Sequence, residues 1–183
     1  MYLGAKHMVT GYDHLLFLIG VIFFLYRLKD IGIYVTLFAV GHSSTLLLGV
    51  FANIHINAFI IDAIIGLSVV YKALDNLGAF QQWFGVQPNT KISTLIFGLF
   101  HGFGLAAKII EFEIDSNGLF TNLIAFNIGV EIGQLLALST ILILISYWRK
   151  KSSFLTHAYS TNVLLMILGF MLTGYQLFGY FNS

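Results

Sequence analysis

The stretch Gly11-Tyr12-Asp13-His14-Leu15-Leu16-Phe17 opens an apolar run that continues to Tyr26, and its reading decides the fold. The run has the composition of a membrane helix, yet it carries an acid and a histidine side by side at its mouth. Charged and imidazole side chains cost free energy in hydrocarbon, so residues kept there are functional candidates by default. Two further points matter: whether the rest of the chain is membrane-spanning, and whether it sends partners to meet Asp13 and His14.

The composition answers the first point. The 183 residues are 58% hydrophobic and 9% charged, where a soluble domain carries about 25% charged residues, and the mean hydropathy is +0.88. This is an integral membrane protein with the lipid bilayer as its surroundings. The net charge of +1 says nothing about nucleic acid, and no basic cluster is long enough to suggest it, so no nucleic-acid partner is expected. There is no cysteine, so a metal would be held by histidine nitrogen and carboxylate or amide oxygen. Such donors suit zinc, nickel, copper(II), iron or manganese better than copper(I). The first run lacks a small-residue cleavage site and reads as a retained helix rather than a signal peptide.

A span needs about 20 mostly apolar residues, and six segments qualify, roughly 9–28, 31–51, 57–75, 92–110, 119–147 and 160–181. The connections are too short for a soluble domain. The expectation is an all-α, polytopic membrane protein, a single six-transmembrane-helix bundle over 1–183. The first, third and fifth connections carry Arg27, Lys29, Lys72, Lys91, Arg149, Lys150 and Lys151, against Lys6 and Lys108 on the other side. The positive-inside rule then puts both termini outside the cytoplasm, in a bacterial-type inner (plasma) membrane. Glycines within the spans, among them Gly41, Gly49, Gly98, Gly102, Gly129 and Gly133, read as close helix contacts. Gly129 and Gly133 bracket Glu131, which suggests that the carboxylate faces other helices.

Five of the six segments carry polar groups suited to a site: Asp13 and His14; His42 and Ser43; Asp62; His101; and Asn127, Glu131 and Gln134. At 1.5 Å rise per residue, His14 and Asp62 fall roughly 6–8 Å below the outer helix ends, His42, His101 and Asn127 about 10–14 Å, and Glu131 about 16 Å. Asn127, Glu131 and Gln134 have the i, i+4, i+7 spacing of one face. Asp13 and His14 are about 100° apart on a helix, so one can ligate while the other supports it. His7 lies two turns from His14 and reaches the same ion only if the chain bends near Thr10-Gly11, which glycine permits. His14, His42, His101, Asp13, Glu131 and His7 are therefore the expected metal ligands, with Asp62, Asn127, Gln134 and Ser43 in support.

Blander readings exist for each feature. A single membrane histidine is as often a packing residue, and Asp62 alone could cap its helix. Ser43 and Ser44 most often bond back to a helix carbonyl. His55 and His157 read as surface residues, and Glu111, Glu113 and Asp115 as an exposed acidic loop. Phe17 to Tyr26 reads as lipid- or core-facing bulk.

The ordered set of motifs at 11–17, Gly-His-Ser-Ser-Thr-Leu at 41–46, Ile-Asp-Ala-Ile-Ile-Gly-Leu-Ser-Val at 61–69, Phe-Gly-Leu-Phe-His-Gly-Phe-Gly-Leu-Ala at 97–106 and Phe-Asn-Ile-Gly-Val-Glu-Ile-Gly-Gln at 126–134 resembles the HupE/UreJ family. Those are small membrane proteins associated with hydrogenase and urease gene clusters and regarded as nickel permeases. The resemblance covers about residues 7 to 140, and it places the family's His-x5-Asp-His motif on His7, Asp13 and His14. The Phe-His-Gly motif falls on Phe100, His101 and Gly102. Where the family pattern has a carboxylate a turn or two later, this chain has Lys108, with Glu111 beyond it.

The expected function is a metal-ion permease or metal-handling protein for a divalent transition metal, nickel or zinc, alone or as a homo-oligomer. The ion would meet His7, Asp13 and His14 first and then His42, His101 and Glu131. The inner half offers few polar residues to line an exit. The alternative is an intramembrane zinc-dependent hydrolase, in which three histidines activate water. Asp13, Asp62 or Glu131 would then be the base, and Ser43 would steady an oxyanion. A non-catalytic accessory subunit is the third reading.

Overall fold

The computed structural model describes residues 1–111 and 118–183. Eight α-helices follow in order: α1 (Tyr2–Thr10), α2 (Tyr12–Ile22), α3 (Leu28–Phe51), α4 (Ala58–Asn76), α5 (Ala79–Phe84), α6 (Thr90–Glu111), α7 (Leu119–Arg149) and α8 (Ser153–Asn182). No strand occurs among the described residues, so the chain is all-α there. α3, α6, α7 and α8 are long and apolar enough to cross a membrane. The acidic stretch with Glu113 and Asp115 lies outside the described residues, as does the side chain of Glu111.

The expectation of six helices is corrected in two places. The first predicted span is two helices of 9 and 11 residues, neither of spanning length. Gly11 divides them: its ψ of 100° is extended rather than helical. Its amide still donates to His7 O at 2.8 Å, while its carbonyl accepts from Leu15 N at 3.0 Å. One residue thus ends α1 and starts α2. The third predicted span, α4, carries Asp62, Lys72 and Asp75 within 19 residues and is too charged to qualify by composition. α5 is a short helix inside the longest connection.

Glycine brings the main helices together, because a missing side chain lets two backbones touch. On α3 the residues Gly41, Thr45 and Gly49, and on α6 Gly98, Gly102 and Ala106, recur at every fourth position. A methyl group built on Gly41 would lie 2.6 Å from Leu95 O, and one on Gly49 would lie 2.6 Å from Ala106 Cβ. Within this seam Thr45 Oγ1 donates to Leu99 O at 2.7 Å. A second seam joins α4 to α8, where a Cβ on Gly66 would meet Thr173 and one on Gly169 would meet Val70. A third seats α1 against α7, with Met1 O and Ala5 O facing Gly129 and Gly133.

α2 is held between these layers. Its Phe17, Leu18 and Ile22 are buried against Phe38, Val69 and Leu138. The carbonyls at and just beyond its C-terminus are taken up by Arg149 at the end of α7. That guanidinium donates to Ile22 O at 2.5 Å, Phe23 O at 2.6 Å and Leu25 O at 2.8 Å, and lies 4.4 Å from the centre of the Tyr26 ring. Outer faces of α7 and α8 expose Ile143, Leu144, Met171 and Phe178, as lipid-facing helices do.

Candidate metal-binding site

Four histidines from four helices gather beneath the α1–α2 break: His7 (α1), His14 (α2), His42 (α3) and His101 (α6). The break at Gly11 turns α1 back so that the His7 and His14 ring centres lie 5.0 Å apart. His14 is the hub, with His101 at 4.9 Å and His42 at 6.2 Å. The α3–α6 seam sets the other two, since a Cβ on Gly102 would collide with His42 O. His14, His42 and His101 are 2%, 1% and 1% exposed.

Hydrogen bonds fix which nitrogen the His14 and His101 rings present. His14 Nδ1 lies 3.0 Å from Asp13 Oδ1, and His101 Nδ1 lies 2.8 Å from Phe97 O. Both partners only accept, so in each neutral ring Nδ1 carries the proton and Nε2 keeps a free lone pair. This is the arrangement by which an outer partner orients a metal-binding imidazole. The free atoms are buried without partners: Nε2 of His7, His14 and His101, and both ring nitrogens of His42. Five such atoms in one place are unusual, because an unmet buried polar group costs about 1–3 kcal/mol and native interiors hold few of them.

Two imidazoles bound tetrahedrally at about 2.0–2.1 Å to one ion have ring centres roughly 5 Å apart. The His7–His14 and His14–His101 spacings match this, and His42 stands farther out. Among the described residues, no three histidine, aspartate or glutamate side chains are placed so that together they could hold a metal ion. The rings are edge-to-face neighbours, with interplanar angles of 68–76° to His14.

The remaining expected residues are distributed differently. Asp13 orients His14. Asp62 pairs with Lys108 Nζ at 2.7 Å, joining α4 to α6, and the helix cap it could have supplied is made by Asn57, which accepts from Ile60 N at 3.3 Å. Asn127 is buried, donating to Leu123 O at 3.1 Å with its Oδ1 unpartnered. Gln134 is buried and Nε2 reaches Val35 O at 3.5 Å.

Glu131 is exposed and lines a lateral groove of about 470 Å³ with Thr36, Ser43, Ser44, Gln134 and apolar residues, none of them histidine. Residues two apart on a helix lie about 200° apart. The close packing of Gly129 and Gly133 on α1 therefore points Glu131 away from that contact rather than toward it. Ser43 and Glu131, which the hydrolase reading needs beside the ion, face this groove together. His55 and His157 are exposed.

Sequence reasoning missed two layers. Each buried histidine has a phenylalanine one turn away along its own helix: Phe17 for His14, Phe38 for His42, Phe97 for His101. Their rings form a plug, with Phe17 at 5.4 Å from Phe38, 5.7 Å from Phe97 and 5.4 Å from His101. Beyond it, the half of the bundle away from the histidines is not poor in polar groups. Lys72, counted above as a loop charge, is buried in α4 and donates to Asp75 at 2.5 Å. Asn76 Nδ2 donates to Gly20 O at 2.8 Å and to Asn162 Oδ1 at 2.9 Å. The i, i+3 spacing of Lys72 and Asp75 was the available signal.

Comparison with curated proteins and with solved structures returns no match. A family model described as HupE / UreJ protein matches residues 1–183. The match spans the whole chain and includes every residue of the histidine cluster, so this protein belongs to the HupE/UreJ family.

Proposed function

We propose that this protein is a membrane permease, or metal-handling protein, for a divalent transition-metal cation, nickel(II) or zinc(II). Family membership supports a metal-related accessory or transporter role. The observation that carries the finer reading is the group of five unpartnered ring nitrogens on His7, His14, His42 and His101. The cation is cargo here. Neutral imidazoles replace its hydration water, and Asp13, held on His14, supplies compensating negative charge. His7 receives the ion first, because it is half-buried while His14, His42 and His101 are enclosed. Conduction also requires that such sites release what they bind.

The accompanying topology has both termini outside, in a bacterial-type inner membrane, with α1–α2 together making one crossing and α4 another. Arg27, Lys29, Lys91, Arg149, Lys150 and Lys151 support this orientation even with Lys72 removed from the count. α4 packs against α2, α6 and α8 like its spanning neighbours. The test is uptake of nickel(II) or zinc(II) into proteoliposomes, beside elemental analysis of the purified protein. Wild-type uptake should be lost in His14→Ala and His101→Ala. Unchanged uptake in both, or failure to bind either ion, rules the reading out.

A further inference from the structure

The axial order of side chains is the same on three helices: histidine, then phenylalanine, then a polar or small residue. On α2 it runs His14, Phe17, Gly20; on α3, His42, Phe38, Tyr34; on α6, His101, Phe97, Thr94. Below the phenylalanine layer, Tyr71 packs on Phe97 at 5.1 Å and its hydroxyl lies 2.8 Å from Ser93 Oγ. One turn further in, Asp75 is 6% exposed and takes three donors: Lys72 Nζ at 2.5 Å, Thr90 Oγ1 at 3.3 Å, and Gln87 Nε2. Gly20 makes room for the lysine, since a Cβ there would lie 3.1 Å from Lys72 Cγ. Gln87 belongs to an exposed loop, so this carboxylate is in direct contact with a surface side chain.

A buried ion pair is weak evidence for stability, because removing both charges from water costs about as much as their attraction returns. Its position suggests another use. From its place beyond the aromatic plug, Asp75 is the first carboxylate that a cation leaving the histidine cluster would meet on α4, and an ammonium already sits on it.

Resting on the permease reading above, we infer that Asp75 is the inner cation subsite of the route. Lys72 is its tethered counter-cation, holding the carboxylate occupied until the transported ion displaces it. Gln87 and Thr90 close the site toward the inner surface. The plug of Phe17, Phe38 and Phe97 keeps the outer and inner sites from communicating through water.

The experiment pairs nickel(II) and zinc(II) binding by calorimetry in detergent with uptake into proteoliposomes, for wild type, Asp75→Asn and the double variant Lys72→Met/Asp75→Asn. The double variant leaves no buried charge unpaired, and its thermal unfolding is measured alongside. The expected result is that both variants bind the ions at the histidine cluster as wild type does. Uptake in both should fall roughly ten-fold or more, the scale of one lost charge-assisted contact. A purely structural ion pair predicts the opposite: the double variant, with packing and charge balance restored, transports like wild type, and that result overturns the inference while leaving the permease reading intact. Absence of uptake by the wild type removes the permease reading and this inference with it.

Discussion

Lys108 Nζ lies 2.7 Å from Asp62 Oδ2 and joins α6 to α4 at the end of the bundle that holds the histidines. The lysine is 42% exposed, so the pair contributes little to stability, about 0–1 kcal/mol. Its charge matters more, because Lys108 and His7 line the same cleft among α1, α6 and α7. A fixed ammonium there repels an approaching cation and neutralises Asp62. Lys108→Gln should therefore tighten nickel(II) or zinc(II) binding by roughly three- to ten-fold at low ionic strength, less as salt screens the charge. Titration calorimetry at two salt concentrations measures both effects, and equal affinities in the two proteins would contradict them.

Gly11 leaves no free room for a side chain beside His7, Asp13 and His14. A methyl group there would lie 2.9 Å from His7 O and 3.0 Å from both Asp13 Oδ1 and His14 Nδ1. Alanine also favours continuing α1 into α2, which would draw His7 away from His14. Gly11→Ala should weaken metal binding about ten- to hundred-fold, as lost outer support of a ligand does. Its thermal unfolding should shift little, since no seam between long helices passes through Gly11. A wild-type affinity would mean that the bend is not needed to build the site.

The bend at Gly11 was legible in the sequence, because glycine between a histidine and an Asp-His pair permits one and a shared site requires it. The meeting of His14, His42 and His101 was legible from their falling in the same half of three segments, where scattered polar residues have no packing reason to gather. Glu131 misled because its flanking glycines were read as marking its own face, when positions two apart face opposite sides of a helix. Lys72 misled because a lysine near the end of an apolar run counts as a loop charge unless its acid partner is noticed. The phenylalanine layer was hidden by composition: in a chain with 18 phenylalanines, only the fold shows which three stack under the histidines.

The α3–α6 seam makes a sharp contrast between two glycines. A Cβ on Gly102 would collide with His42 O and Thr45 Oγ1, whereas one on Gly32 meets nothing within 4 Å. Gly102→Leu should destabilise the protein by about 3 kcal/mol or more, the upper end of overpacking, and abolish binding by moving His42 away from His101. Gly32→Ala should be neutral or stabilising by up to about 1 kcal/mol through helix propensity. Thermal unfolding in detergent, followed by tryptophan fluorescence or light scattering, ranks the two against wild type.

Arg149 tests whether the short α2 depends on its neighbour for an end. Its guanidinium bonds the carbonyls of Ile22, Phe23 and Leu25 and lies against Tyr26, contacts that a planar fork can make together. An 11-residue helix is marginal alone, and the side chains of α2 carry both His14 and Phe17. Arg149→Lys keeps the positive charge on the cytoplasmic side of the proposed topology but offers a compact ammonium instead of a fork. If charge alone mattered, the lysine variant would match wild type. Because geometry sets the cap, Arg149→Lys should lose about 1–3 kcal/mol, the worth of hydrogen bonds to a charged group, and Arg149→Ala somewhat more. The loss should appear first as faster hydrogen exchange at the amides of α2, ahead of global unfolding, because the cap acts on that helix before it acts on the bundle.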